Sequence, residues 1–196
     1  MLLKADDWLD AMFYLGGFDV AFPRHVGTLV QPGEWALDIG AQKGWFSMLL
    51  ARAVGPGGTV FAFEPDPRAF SQCVIHRDRN ELPQIVALPM AVGDTTGTVS
   101  FLLNATLGWS SCFPDAAQRA QITDEIEVRF TTIDEVLRER RTSMSPPAVV
   151  GEDRRRGFGV EDLARHAASA GARHPDAVAG NQSLVAGRGR RPASGP

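Results

Sequence analysis

Apolar positions recur at helical spacing through Leu3, Trp8, Leu9, Met12, Phe13 and Leu15 until Gly16-Gly17 stops the pattern, which predicts an amphipathic opening helix packed on the rest of the domain. After a turn at Gln31-Pro32-Gly33, EWALDIG is a short apolar run ending in Asp and Gly, read as a buried strand at 35–39. Trp45, Met48, Leu49 and Ala53 then fall at helical spacing, and GPGG at 55–58 ends that helix. TVFAFEP supplies a second strand at 59–63. The next helix starts near Asp66-Pro67, where proline suits the first turn, and runs through Phe70, Val74 and Ile75 towards Asn80, with QIVAL as a third strand. Strands alternating with helices at these distances predict parallel βαβ units, and the fold class is α/β.

From Gly93 the pattern changes. GDTTG is turn chemistry, TVSFLL reads as a strand, and EIEVRFTTI alternates as a half-exposed strand does, so a β-rich insertion is expected. Thr132 stands where a helix cap belongs, with Glu135 at capping-box spacing, and SPPAVV leads towards a fourth strand.

Composition, taken over the whole chain, changes this picture little. Apolar residues at 44% and charged residues at 22% describe a soluble globular chain. A net charge of -3 offers no general attraction to nucleic acid or to an anionic membrane. Lys4, Asp6, Asp7, Asp10 and Asp19 interrupt the N-terminal apolar residues before a signal-peptide core or a membrane span can form. Cys73 and Cys112 stand in no metal-ligand or disulfide pattern, which fits a reducing, cytoplasmic setting.

The chemistry concentrates at Asp38-Ile39-Gly40-Ala41-Gln42-Lys43-Gly44. Gly40 allows a sharp turn and close approach to a ligand, Gly44 allows the next helix to sit close to the strand, and Asp38 is placed to pair with an ammonium. Glu64 ends the second strand, where an acid accepts hydrogen bonds from ribose hydroxyls. The set points to an adenosine-type cofactor. A nicotinamide dehydrogenase is the rival, but its pyrophosphate asks for GxGxxG, which Ile39 and Gln42 break; one glycine and a strand-end acid suit S-adenosylmethionine.

ALDIGAQKGWFSMLLA, VFAFEPDPRAF, ALPMAVGDTTGTVSF and VRFTTIDEVL, in that order and spacing, resemble the FkbM family of S-adenosylmethionine-dependent methyltransferases over residues ~25–140. The resemblance implies a Rossmann-like class I methyltransferase sheet and methyl transfer to a hydroxyl of a small molecule, commonly a sugar or secondary metabolite. It implies that Asp38, Gly40, Ala41 and Gly44 line the methionine moiety, that Glu64 takes the ribose, and that Ala91 and Val92 lie along the adenine. Asp94 belongs either to that edge or to the GDTTG turn. Lys43, where the family more often has an apolar residue, is expected to point to solvent or substrate. Trp109, Ser110 and Ser111 are substrate-contact candidates against a surface-loop alternative, whereas Cys73, His76, Cys112 and His25 read as ordinary packing or surface residues. No catalytic base and no metal ligand is assigned.

The resemblance stops at Val150. The family continues with a strand near Lys-Ile-Asp-Val-Glu-Gly-x-Glu, while this chain reads GEDRRRGFG. Residues 151–196 hold 9 Ala, 8 Gly and 8 Arg but no Lys, too little apolar material for four more core strands. Charge also turns from -6 over residues 1–150 to +3 over the tail. Codon degeneracy allows Glu152 to Gly159, with GGG at Gly157, to read Lys-Ile-Asp-Val-Glu-Gly-Ser-Glu one base later, so a frameshift near codon 150 is expected. The chain thus divides into a helical cap at 1–30, a partial cofactor-binding domain at 31–150, and a disordered Arg/Gly/Ala tail at 151–196. The function expected is an impaired O-methyltransferase; the alternatives are a non-catalytic cofactor-binding or interaction module, and a chain that scarcely folds because one side of its central strand is unpaired.

Overall fold

The computed structural model describes residues 8–15, 22–108, 110–112, 115–140 and 183–187. Strand β1 (Trp35–Ile39) is followed by helix α3 (Trp45–Val54), β2 (Thr59–Phe63), α4 (Pro67–Arg79) and β3 (Ile85–Leu88), so the predicted βαβαβ run is met nearly residue for residue. Helices α1 (Trp8–Tyr14) and α2 (Phe22–Leu29) precede it; the patterning points to the first and misses the second.

β1 and β2 are parallel with Leu37 opposite Phe61, and β2 and β3 are parallel with Phe61 opposite Val86. Period-two alternation sends Ala36, Val60, Ala62 and Ile85 to one face, where Met48, Leu50, Ala51 and Val54 of α3 and Cys73 of α4 cover them. Trp35, Leu37, Ile39, Phe61 and Phe63 go to the other face, against Val136. Burial on both faces is why these strands read as apolar runs. Val136 belongs to a later helix (Ile133–Arg140), whose Glu135 N–H donates to Thr132 Oγ1 at 3.1 Å, the cap expected there.

Beyond Pro89 the chain enters a second sheet. β4 (Met90–Val92) runs parallel to β6 (Ile122–Thr131), which pairs antiparallel with β5 (Gly97–Asn104), and the short helix α5 (Ala116–Arg119) connects β5 to β6. This is the expected β-rich insertion, with its own core of Ala91, Phe101, Leu103 and Val128. The Ile133–Arg140 helix is α6.

The first sheet has the order β3-β2-β1-β7, in which β7 (Ser183–Gly187) lies antiparallel to β1 with Val185 opposite Leu37. Two expectations change here. The tail is not without regular structure throughout, and the side of β1 thought to be unpaired carries a strand. The physical reason is local: Ser183-Leu184-Val185-Ala186-Gly187 is a short apolar stretch of the tail, and antiparallel pairing to an open edge satisfies the backbone of β1 without any crossover helix. The SPPAVV segment lies outside the described residues.

Candidate cofactor site

The turn from β1 into α3 is built by positive φ values: 79° at Gly40, 50° at Gln42 and 84° at Gly44. A Cβ at Gly40 would meet nothing within 4 Å, so space beside this glycine stays open to a ligand. At Gly44 the constraint is different from the one expected. A Cβ there would stand 2.8 Å from Cys73 Sγ, so this glycine lets α4, and not the strand, come close. The N–H groups of Gly40 and Ala41 both donate to the Phe63 carbonyl (3.0 and 2.9 Å), which folds the turn over the end of β2.

Gly44 caps α3 without a side chain, and Asp38 supplies the missing acceptor from the adjacent strand. Its Oδ2 accepts from Ser47 Oγ at 2.5 Å, and the Ser47 backbone N–H also bonds to the carboxylate. Asp38 is fully buried, and its Oδ1 has no partner. Burial pushes its carboxyl up to about 6 against the pull of the Ser47 bonds.

Glu64 sits one residue beyond β2. Its Oε2 accepts from the Gln42 N–H and its Oε1 from the Asp66 N–H, both at 2.8 Å. Each carboxylate oxygen keeps acceptor capacity for a hydroxyl. Burial pushes Glu64 up to about 7, opposed by those two bonds, with the charges of Asp66 and Asp38 adding to the rise. The two acids that the sequence singles out are therefore neighbours at the carboxyl ends of adjacent strands, where α/β sheets bind ligands.

A third acid escapes the sequence reading. Asp66 caps α4 by accepting from the Arg68 N–H, and also takes Arg68 Nε and a guanidinium N–H at 3.0 and 2.7 Å. Ser110 Oγ donates to the same carboxylate at 2.8 Å, and Arg68 reaches the Asn104 carbonyl at 2.9 Å. Burial would raise Asp66, yet the Arg68 and Ser110 bonds hold it below the usual carboxylate range. Gly108 belongs to the same loop: a Cβ on it would approach Gln42 Nε2 to 2.5 Å. The insertion is thus clasped onto both turns at the site, and Ser110 is part of that clasp. Asp66-Pro67 signals only a helix start, because a cap and a tertiary anchor use the same residue types.

The remaining candidates divide. Ala91 and Val92 are buried inside β4, Ala91 in the core of the insertion and Val92 beside Met90 and Leu88, so packing takes up side chains expected to lie along a ligand. Asp94 is exposed in the GDTTG turn, and Trp109 lies outside the described residues. Ser111 is buried and bridges to Leu102 by backbone bonds. Cys73 and His76 are buried packing residues as expected, with His76 Nδ1 donating to the Lys43 carbonyl at 2.7 Å.

Lys43 corrects the expectation. It points neither to solvent nor to a substrate: it is fully buried, and its Nζ meets Asp10 Oδ1 of α1 at 2.6 Å. One turn further along α1, Phe13 stacks on Trp45 with ring centroids 4.8 Å apart. A sequence signal exists, since Asp10 lies three residues before Phe13, on the apolar side of the opening helix.

Residues 38–144 match the family model described as the methyltransferase FkbM domain. The chain belongs to the FkbM methyltransferase family. It is 38% identical over 110 residues to the 31-O-demethyl-FK506 methyltransferase FkbM of Streptomyces tacrolimicus, covering 53% of this chain and 39% of that protein. It is 45% identical over 56 residues to a protein-L-isoaspartate O-methyltransferase of Aeropyrum pernix, covering 26% of this chain and 22% of the other. The chain thus spans well under half the length of these two relatives. Superposition on a solved protein-L-isoaspartate O-methyltransferase gives 17% identity over 70% of this chain and 55% of that one, with a TM-score of 0.32. The fold assignment stands instead on the sheet order and register described above. Among the described residues, no helix is long and apolar enough to cross a membrane.

Proposed function

We propose that this FkbM-family chain binds S-adenosylmethionine at the ends of β1 and β2 and belongs to an O-methyltransferase acting on a small-molecule hydroxyl, of a sugar or a secondary metabolite. The observation that carries the reading is the buried, unpartnered Oδ1 of Asp38 beside the open flank of Gly40, with Glu64 next to it. An unsatisfied carboxylate oxygen in a buried position costs about 1–3 kcal/mol or more, which an ammonium would recover. Asp38, Gly40, Ala41 and Gly44 would hold the methionine end, and Glu64 the ribose. The cofactor supplies an electrophilic methyl on a sulfonium. The chain's own residues bind and orient it and, through the Asp66–Ser110 clasp, bring the insertion over the site, which limits the entry of water. No residue is assigned as the base that takes the hydroxyl proton.

One relative's name supports the acceptor class, being that of a 31-O-demethyl-FK506 methyltransferase, while the other, a protein-L-isoaspartate O-methyltransferase, supports transfer to oxygen and not the small-molecule hydroxyl. A cytoplasmic setting rests on two free thiols, with Cys73 buried. Residues 151–196 are read as out-of-frame sequence, on the codon relation and the change of composition, and turnover by this chain is expected to be weak or absent. Sequencing the gene around codon 150 tests that part.

Calorimetric titration with S-adenosylmethionine tests the site itself. The unaltered chain is expected to bind, and Asp38→Asn, which keeps the shape and an acceptor for Ser47, to bind at least roughly 10-fold more weakly with its circular dichroism unchanged. A folded chain that does not bind would leave the methyltransferase assignment as ancestry alone, with a non-catalytic interaction module in its place.

A further inference from the structure

Glu64 and Asp66 follow the end of β2, and their oxygens are used differently. Asp66 accepts on both oxygens twice: Oδ1 takes the N–H and Nε of Arg68, and Oδ2 takes its guanidinium and the hydroxyl of Ser110. A carboxylate offers about four acceptor positions, so the protein itself fills Asp66. Glu64 accepts one bond on each oxygen, from the N–H groups of Gln42 and Asp66, and keeps the rest of its capacity. The Ser110 hydroxyl is filled as well. It donates to Asp66 and accepts from the Asn104 N–H at 3.0 Å and from Arg68 at 3.1 Å, which uses its proton and both lone pairs. A methyl acceptor could bond to Ser110 only by breaking this set.

The loop that carries Ser110 meets the same two residues that hold Glu64. Ser110 bonds to the side chain of Asp66, and the backbone at Gly108 passes so close to Gln42 that a Cβ there would stand 2.5 Å from Gln42 Nε2. Gln42 and Asp66 are the residues whose N–H groups fix the Glu64 carboxylate, each at 2.8 Å. Gln42 is also held at φ 50°, a conformation that a non-glycine residue keeps only when its surroundings hold it there. We propose that Ser110 is a positioning residue for Glu64: acting through Asp66, it aims the open side of that carboxylate at the ribose diol of the cofactor. The β-rich insertion thereby sets how tightly the nucleoside is held. The proposal rests on the S-adenosylmethionine reading and deepens it, since it gives this loop to the cofactor's ribose and leaves Ser110 out of contact with the methyl acceptor. Arg68, bonded to Asp66, to Ser110 and to the Asn104 carbonyl, ties the same group to the start of the loop. An acid already aimed by fixed donors receives a diol without reorganising, and that preorganisation is what the loop contributes.

The test is calorimetry with S-adenosylhomocysteine and with its 2′,3′-dideoxy analogue, which lacks only the diol, and the quantity read is the ratio of the two affinities. The unaltered chain is expected to favour the diol by roughly 10-fold or more. Ser110→Ala is expected to lower that ratio by roughly 5-fold, through S-adenosylhomocysteine alone, with the analogue changing by less than about 2-fold. Gly108→Ala, which presses on Gln42 from an exposed position, reaches Glu64 by the other arm and is expected to lower the ratio in the same direction. In a chain already carrying Glu64→Ala, Ser110→Ala should change the ratio by less than about 2-fold, because the group it aims is gone. Equal weakening of both ligands by Ser110→Ala would mean that Ser110 only holds the fold, and a ratio unmoved by both loop variants would mean that Glu64 needs no support from the insertion. A further fall on top of Glu64→Ala would mean that Ser110 acts by another route, and an unaltered chain that binds both ligands alike does not read the diol. Each of these overturns the proposal and leaves cofactor binding standing. Failure of the unaltered chain to bind either ligand overturns both.

Discussion

Replacing Asp10 by alanine should destabilise the molecule far more than its place in a short N-terminal helix suggests. Asp10 and Lys43 are both essentially inaccessible to solvent, and their charged atoms are 2.6 Å apart. At an effective dielectric constant of about 20, the attraction across that distance is roughly 6 kcal/mol, most of which offsets the desolvation of the two groups. Removing one partner leaves the desolvation of the other in place, and such losses run to about 3–5 kcal/mol. Replacing both by apolar residues removes both charges, so Asp10→Ala combined with Lys43→Met should recover most of the loss. The assay is urea unfolding of the unaltered chain, each single variant and the pair, read by tryptophan fluorescence. Because Lys43 stands between Gln42 and Gly44, fluorescence of the neighbouring Trp45 should shift in the same variants. A cost below about 1 kcal/mol for Asp10→Ala would refute the reasoning, and so would additivity of the two single losses in the double variant.

The site itself sets the pH response. Asp38 and Glu64 are pushed up to about 6 and about 7, so the folded chain holds more protons there than the unfolded chain does. Stability of the unbound chain from these groups therefore falls as pH rises from the ordinary carboxylate range through about 7. Affinity for S-adenosylmethionine should move the other way, rising roughly 10-fold between pH 5 and 7 as Asp38 ionises to meet the ammonium; urea unfolding and calorimetry at constant ionic strength check the two signs. Ser110→Ala removes one donor to Asp66 and one acceptor for the Asn104 N–H. It should speed hydrogen exchange across residues 104–108 while leaving β1 and β2 protected, and equal exchange in both proteins would show that the clasp does not order the loop.

The parts legible in the sequence are those set by short-range rules. Trp35-Ala36-Leu37-Asp38-Ile39 and Thr59-Val60-Phe61-Ala62-Phe63 could be placed because strands buried on both faces must be nearly continuous apolar runs, and Gly40 because a backbone at φ 79° disfavours any residue with a Cβ. Asp38 and Glu64 are legible for a related reason: they stand one residue inside or beyond a strand end, a position that the local pattern marks. Long-range partners are not. Nothing near Lys43 in sequence shows that Asp10, 33 residues earlier, is the group it meets, and a lysine in a glycine turn is ordinarily solvated. Ser110 becomes part of the clasp only because a loop 44 residues away folds back onto Asp66.

By itself, then, the sequence determined the βαβαβ order, the family and the pair of acids, since each depends on periodicity or on residues a few places apart. Only the tertiary structure decided which charges are buried together, that Asp38 caps α3 while keeping one oxygen open, that Ala91 and Val92 serve the cores, and that a strand from the tail covers β1. The reason is physical. Burial and pairing depend on which distant surfaces meet, and a backbone edge accepts any short apolar segment able to satisfy its hydrogen bonds, whatever its place in the chain.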